Sequence, residues 1–378
     1  ECMDLGGTLV KSKKIRLYPT KSQKNLFRQW FGVSRKFYNE AVNFFNTSEE
    51  KLGWMKLSTR LTRSRNEDYI KEVPYQIKNM AVKDAGVAFS SNCRKTKATG
   101  QGFRLSFRSK KDPVQSCFIP KSAIKDQGIY YTLSGKLRHA LNYSLECKKD
   151  SRLVLENNRW FLIIPVEFER KVIESKDNIV SIDPGVRSFC TFFSTDGYYG
   201  HLGQGDFNRI YRLVYSLDKL VSKRDLSKNS RKRRSYNRSI KNLRFRLKNL
   251  TEELQNKVVL FLVKNFGTII YPYFRTQDMV SVLGRRLRRK TVRMLLGWRF
   301  YSFEQKLVNK CLEYGRTLFR VSEAYTSRTN SFTGDLMDIG SREWFSHGNF
   351  RINRDVNGAR GILLRALRDI SAQRDESS

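Results

Sequence analysis

No Cys-x-x-Cys pair occurs in the 378 residues, although the chain holds six cysteines. Cys2, Cys93, Cys117, Cys147, Cys190 and Cys311 are scattered. That spacing supports neither a disulfide framework nor a zinc knuckle, and it fits a reducing compartment. Three histidines, His139, His201 and His347, are too few and too dispersed for a histidine-based metal site. There is no run of about 18 apolar residues and no segment that reads as a signal peptide, so no membrane partner is expected. Seven prolines and 23 glycines argue against a fibrous or low-complexity chain. Acidic residues are also scarce: 36 stand against 73 lysines and arginines, a net charge of +37. A chain this basic repels itself unless a polyanion neutralises it. Nucleic acid is the expected partner, preferred over the runner-up, a membrane surface. The chain starts with Glu rather than Met, which reads as a trimmed piece of something longer.

With 39% hydrophobic residues the chain can bury a real core, and its length suits about two to three domains. Within "IVSIDPGVRSFCTFF", residues 179–193, Asp183 interrupts an otherwise apolar strand. A carboxylate there is costly to desolvate unless a charge compensates it.

Residues 13–19 alternate as a strand closed by Pro19. Thr20 and Gln23 then form a capping box that opens a helix through Leu26, Phe27, Trp30, Phe31, Phe37 and Tyr38. Helical patterns continue patchily to about residue 98. From Gly102 to Glu169 the period falls to two. GFRLSF, GIYYTL, YSLEC and RWFLIIPVEFE read as short strands of a small barrel or curled sheet, with Arg104, Arg108, Lys110 and Lys111 along one face. A polar linker leads to the Asp183 strand and a second strand turning at Asp196-Gly197. A long helical pattern over 205–265 follows, carrying Lys223, Arg224, Arg231, Lys232, Arg233, Arg234, Arg238, Lys241, Arg244 and Arg246 around one acid, Asp225. So dense a run reads as a phosphate contact rather than a solvated face, and it could double as a nuclear-import signal. GTIIYPYF is a strand, residues 284–315 a long basic helix, and RTLFRVSEAYT a strand. A polar insert then leads to a last helix, DVNGARGILLRALRDI.

This element order resembles an RNase H-like core. In that fold an acid on the central first strand and others from neighbouring strands and the final helix hold two divalent ions. Such ions activate water and stabilise the leaving oxygen of a phosphodiester, and carboxylates suit Mg²⁺ because it prefers hard oxygen ligands. "IDPGVRSFCTFF", "YTSRT" and "RDVNGARGILLRAL" look like the RuvC-type motifs of the TnpB family of transposon-encoded RNA-guided nucleases. "KIRLYPTKSQKNLFRQWFGVSRKFYNEAV" resembles that family's opening. "YPYFRTQDM" and "LGWRFYSFEQKL" look closest to its eukaryotic and viral branch, the Fanzor proteins.

The resemblance implies an α/β chain: an RNase H-like (RuvC) nuclease domain with an N-terminal helical recognition region and a small β-barrel, wedge-like domain. The implied boundaries are a first wedge strand (1–19), recognition helices (20–101), the wedge (102–177), the nuclease domain (178–325 and 351–378) and a target-nucleic-acid-binding insert (326–350). It also implies a two-ion Mg²⁺ site with Asp183 as first ligand and Asp355 as last. Asp355 has the alternative role of a helix N-cap, and the family's usual Asp-Arg-Asp reads Asn353-Arg354-Asp355 here. The middle glutamate of the family is missing from the strand at 267–274. Glu323 is the expected replacement, because adjacent strands lie about 4.8 Å apart; Asp278 and Glu304 are weaker candidates. The family's two cysteine pairs are absent from the insert, where Asn330, Thr333, Ser346 and Asn349 stand near their places. No structural zinc is therefore expected, and packing of Trp344, Phe345 and Phe350 would have to hold the insert unless it is mobile.

The function implied is an RNA-guided DNA endonuclease that binds a guide (omega-type) RNA and double-stranded target DNA bearing a short flanking motif. Its location would be the nucleus if the source is eukaryotic or viral. Lys223, Arg224, Arg231, Lys232, Arg233 and Arg234, with Arg285, Arg286, Arg288, Arg289 and Lys290, would lie along nucleic-acid backbones. The alternatives are a guided binder that has lost cleavage, which the missing acid and cysteines favour, and a plain RNA-binding protein.

Overall fold

The structure is a computed structural model. It describes residues 9–50, 52–65, 67–141, 143, 145, 147–171, 177–274, 289–321, 329–336, 343–347 and 350–375. Two compact units divide the chain, Val10–Phe168 and Glu169–Ser378, the latter also taking in Glu1–Leu9. No helix among the described residues is long and apolar enough to cross a membrane.

In the first unit, strand β1 (Leu9–Leu17), which enters it at Val10, is followed by helix α1 (Lys21–Thr47). The capping box is present: the Thr20 side chain accepts from the Gln23 amide, and Gln23 Oε1 accepts from the Thr20 amide at 2.9 Å. Phe27, Trp30, Phe31, Phe37, Tyr38 and Ala41 recur on one face of α1 and are buried. Helices α2 (Trp54–Arg63), α3 (Asp68–Lys71) and α4 (Tyr75–Thr99) follow, and α4 stops at Gly100 with φ +69°, a left-handed turn that glycine adopts without strain.

Strands β2 (Val114–Ile119), β5 (Ser151–Glu156) and β6 (Arg159–Phe168) join β1 in a four-stranded sheet of order β1-β6-β5-β2. Between them lie a two-residue pair, β3 (Ile124–Lys125) with β4 (Gly128–Ile129), and a one-turn helix, α5 (Tyr131–Ser134). The expected strand at GFRLSF does not form. That segment is held beside α1 by two asparagines acting as substitute strand partners. Asn46 Oδ1 accepts from Leu105 N, while Asn46 Nδ2 donates to Leu105 O, and Asn39 does the same for Arg108. Arg108 is also turned inward from the expected basic face. It reaches Asp84 at 3.3 Å and lies 3.6 Å from the Tyr38 ring centroid. GIYYTL likewise stops being strand at Ile129, because Tyr131–Ser134 turns into helix.

The second unit has a five-stranded sheet of order β11-β10-β7-β8-β9. Its strands are β7 (Ile179–Pro184), β8 (Cys190–Ser194), β9 (Tyr199–Leu202), β10 (Thr268–Pro272) and β11 (Thr317–Val321). β7, β8 and β9 are antiparallel neighbours, whereas β10 runs parallel to β7 and to β11. Between β9 and β10 the chain makes α6 (Asp206–Leu226) and α7 (Ser230–Asn265), and between β10 and β11 it makes α8 (Arg289–Trp298) and α9 (Phe300–Tyr314). The expected single basic helix is thus broken. Arg299 takes a left-handed conformation (φ +54°), and the Trp298 and Arg299 carbonyls accept from the buried Gln255 amide at 2.8 and 3.2 Å. The last elements are the hairpin β12 (Trp344–His347) with β13 (Phe350–Asn353), and α10 (Arg354–Asp375).

The sheet separates two cores. Val180, Ile182, Cys190, Ile269 and Tyr271 pack with α7 and α9 around Phe189, whose ring stacks on Phe300. Ile270, Val321, Ile179, Phe193 and Phe319 pack on the opposite face with Ile362, Leu363 and Ala366 of α10. The period of two along each strand makes this division.

Candidate active site and nucleic-acid surface

Asp183 belongs to the face of β7 that meets α10. Ser181, two residues earlier on that face, donates its buried hydroxyl to the Ala359 carbonyl at 2.6 Å. On α10 the inward stripe includes Gly358 and Ile362, and Asp355 heads it one turn earlier. A methyl placed on Gly358 would sit 2.6 Å from Asp183 Oδ2. The β7 carboxylate therefore lies on the backbone of the helix that carries Asp355. The two expected acids come from distant parts of the chain to one end of one face of the sheet.

The capping role for Asp355 is filled by another residue. Asn353 Oδ1 accepts from the Asp355 and Val356 amides at 3.0 and 3.3 Å, so Asn353 is the cap and Asp355 stands in the first turn. The exchange of Asp for Asn at 353 keeps the cap, since the two are comparable there. Asn357, 1% exposed, fastens the helix to the start of the insert. Its Oδ1 accepts from Ser331 N and Oγ, and its amide donates to Thr329 O. The turn 330–335 closes on itself, with Asn330 N bonded to Asp335 O and Gly334 N to Asn330 O. Phe345 packs with Ile352, but Trp344 is 43% exposed with the Arg351 guanidinium 5.1 Å from its ring centroid. Trp344 is thus a surface group rather than a core one. The Phe350 side chain and Asn349 lie outside what is described.

On β10 the place beside Asp183 holds no acid. Ile270 pairs with Ser181. Two residues on, Pro272 and Asp183 share that face, while Tyr271 is buried on the other against Phe303. Glu304 is also on the wrong side: it pairs with Arg320 at 3.0 Å on the face that meets α9. Glu323 and Asp278 lie outside the described residues, and among those residues no group of three His, Cys, Asp or Glu is placed to hold a metal. β11 ends at Val321, whose side chain belongs to the α10 core. Thr191, directly opposite Asp183, meets His201 Nδ1 at 2.9 Å, so a polar row runs from β7 to β9. Dispersal along the sequence hid His201, because only the strand pairing brings it level with Asp183.

Of the expected phosphate contacts, Arg231, Lys232, Arg233 and Arg234 are all exposed at the start of α7, and Lys223 is exposed on α6. Arg224 is instead bonded to Asp225 through Nε at 2.8 Å. The first turn of α7 contains no acid. Cations there oppose the helix dipole, so the cluster stands where it weakens the fold. Arg285, Arg286 and Arg288 lie outside the described residues, and of Arg289 and Lys290 only the helical backbone is described.

Sequence reasoning passed over Gly358, although a glycine inside a helical pattern signals close backbone approach.

Two family models match parts of the chain. A Cas12f1-like TNB domain covers residues 300–362 and a helix-turn-helix domain of the OrfB/IS605 kind covers 9–47. The latter segment is here a strand and one uninterrupted helix. A TnpB-like protein of Acanthamoeba polyphaga mimivirus is 22% identical over 95% of this chain and 74% of its own length. A putative transposase of Paramecium bursaria Chlorella virus 1 is 25% identical over 95% of this chain and 87% of its own. Among solved structures, Cas12f1 in complex with sgRNA and target DNA is 14% identical. It aligns over 94% of this chain and 98% of its own with a TM-score of 0.51, a likeness of fold. The relationship to TnpB-like proteins expected from the motifs therefore holds along nearly the whole chain.

Proposed function

We propose that the protein is an RNA-guided DNA endonuclease whose RuvC-like site is built on β7 and α10. The observation that carries this reading is the placement of the Asp183 carboxylate against Gly358, one turn from Asp355. The donor set fits hard divalent cations: both groups are carboxylates, they come from separate elements, and neither is needed as a helix cap. Asp183 and Asp355, joined by Glu323, would hold Mg²⁺, which when bound activates water and stabilises a leaving phosphate oxygen.

The remaining work falls to the chain's own residues. Ser181 ties α10 to β7 and Asn357 ties it to the turn at 329–331, so the two carboxylates stay in register. The exposed cations of α7 bind phosphates without reading bases, as suits a protein that delegates sequence recognition to a guide. Helices within 20–101 and strands within 102–177 would grip the guide, the flanking duplex and the heteroduplex as recognition and wedge elements. The segment 326–350 would meet target nucleic acid.

Purification of the protein with its co-expressed RNA, followed by cleavage of a matching duplex in Mg²⁺, tests this. One defined RNA species should co-purify, and Asp183→Ala or Asp355→Asn should abolish cleavage while keeping the RNA. Random RNA fragments, or cleavage that survives both substitutions, would remove the reading.

A further inference from the structure

Gly358 is expensive for α10, because glycine inside a helix is less stable than alanine. Its neighbourhood shows what that cost secures. An added Cβ would lie 2.6 Å from Asp183 Oδ2 and 3.6 Å from its Cγ, and among the described residues outside its own helix and its two chain neighbours it would meet no other atom within 4 Å. We infer that Gly358 is a positioning residue: by lacking a side chain it lets the Asp183 carboxylate lie on the helix backbone, within one turn of Asp355.

The helix cannot relieve the crowding by moving. Residue 357 is bonded to Thr329 and Ser331 on one side of Gly358, and the carbonyl of residue 359 receives the Ser181 hydroxyl on the other. The crowded atom is the end of a short side chain, which turns about χ1 and χ2 more easily than a pinned backbone shifts. Gly358→Ala should therefore fold and displace the carboxylate. The same substitution removes a helix-weakening glycine, so stability and ion binding should move in opposite directions. A packing role alone would move both the same way.

The inference rests on the two-carboxylate reading above, and Mn²⁺ serves as probe because its binding is read by electron paramagnetic resonance without turnover. The full chain with its co-purified RNA is titrated as wild type, Gly358→Ala and Asp183→Ala. Each is also melted in EDTA. Both variants should bind Mn²⁺ about tenfold or more weakly, the scale of losing a residue that orients a ligand. Gly358→Ala should melt no lower than wild type. Wild-type Mn²⁺ affinity in Gly358→Ala but not in Asp183→Ala would overturn the positioning role alone. Wild-type affinity in both would overturn the metal-site reading itself. A lower melting temperature for Gly358→Ala would show a packing requirement and also overturn the inference.

Discussion

Ser181 and Ala359, far apart in the chain, are joined by a buried 2.6 Å hydrogen bond from the serine hydroxyl to the alanine carbonyl. The same hydroxyl lies 3.1 Å from Phe193 O. The bond fixes α10 against β7 two residues before Asp183. Ser181→Ala should cost about 1 kcal/mol of stability, the usual net worth of one such bond, in a denaturant melt. It should also weaken divalent-ion binding while leaving nucleic-acid affinity in EDTA unchanged. An unaltered ion affinity would mean that packing alone sets the height of the helix.

Asn353 caps α10 by accepting from two amides. Asn353→Ala should destabilise the protein by about 1 kcal/mol, whereas Asn353→Asp should be nearly neutral because both side chains cap well. Urea unfolding of the two variants checks this. Equal losses would mean that the buried amide of Asn353 matters for something besides the cap.

The strand of Asp183, the capping box at Thr20 and the α6–α7 pattern were all legible in the sequence, because each depends on local period or local turn chemistry. Asp355 was legible as an acid at a helix start. Its release from capping was not, since that depends on which way the Asn353 side chain turns. GFRLSF has the alternation of a strand but pairs with the side chains of Asn39 and Asn46. Nothing in its own residues distinguishes that partner from another strand. The break at Arg299 was hidden for a similar reason: Gln255, distant in sequence, satisfies the carbonyls that the break exposes.

Burial raises the pKa of the Cys117, Cys190 and Cys311 thiols, that of Cys311 to about 12. In the unfolded chain these thiols ionise at about 8.5. The folded state thus holds its protons where the unfolded state releases them, so stability is full below about pH 8.5 and declines as pH rises above it. Each such thiol adds a slope of up to about 1.4 kcal/mol per pH unit. Denaturant midpoints between pH 8 and pH 10 should fall less steeply in Cys311→Ala than in wild type. An identical slope would mean that Cys311 ionises as readily in the folded protein.

Arg231, Lys232, Arg233 and Arg234 crowd the exposed start of α7, where the helix dipole opposes them. Changing all four to glutamine should raise thermal stability in the absence of nucleic acid, since each cation so placed costs about 0.3 to 1 kcal/mol. The same change should weaken nucleic-acid binding. The slope of log K against log salt should fall by about 0.7 to 0.9 for each phosphate that is no longer neutralised. Fluorescence anisotropy across a salt series reads this, and an unchanged slope would leave the cluster as a solvated face.

Glu304 and Glu323 are the two glutamates weighed as third ligand, and Glu323 is the one proposed here. Glu304 pairs with Arg320 on the sheet face away from α10, so Glu304→Gln should cleave as wild type does. Val321 closes β11 on the face that meets α10. Glu323 follows it by two positions in the sequence and lies outside the described residues. With Pro272 standing where β10 could have offered an acid beside Asp183, Glu323 is the residue we propose to complete the set. Glu323→Gln preserves size and hydrogen bonding but removes the charge that a divalent ion requires. It should abolish cleavage and weaken Mn²⁺ binding while leaving RNA retention and target binding intact. If Glu323→Gln cleaves normally and Glu304→Gln does not, the third ligand comes from α9 rather than from Glu323. If neither matters, Asp183 and Asp355 hold their ions without a glutamate from this edge of the sheet.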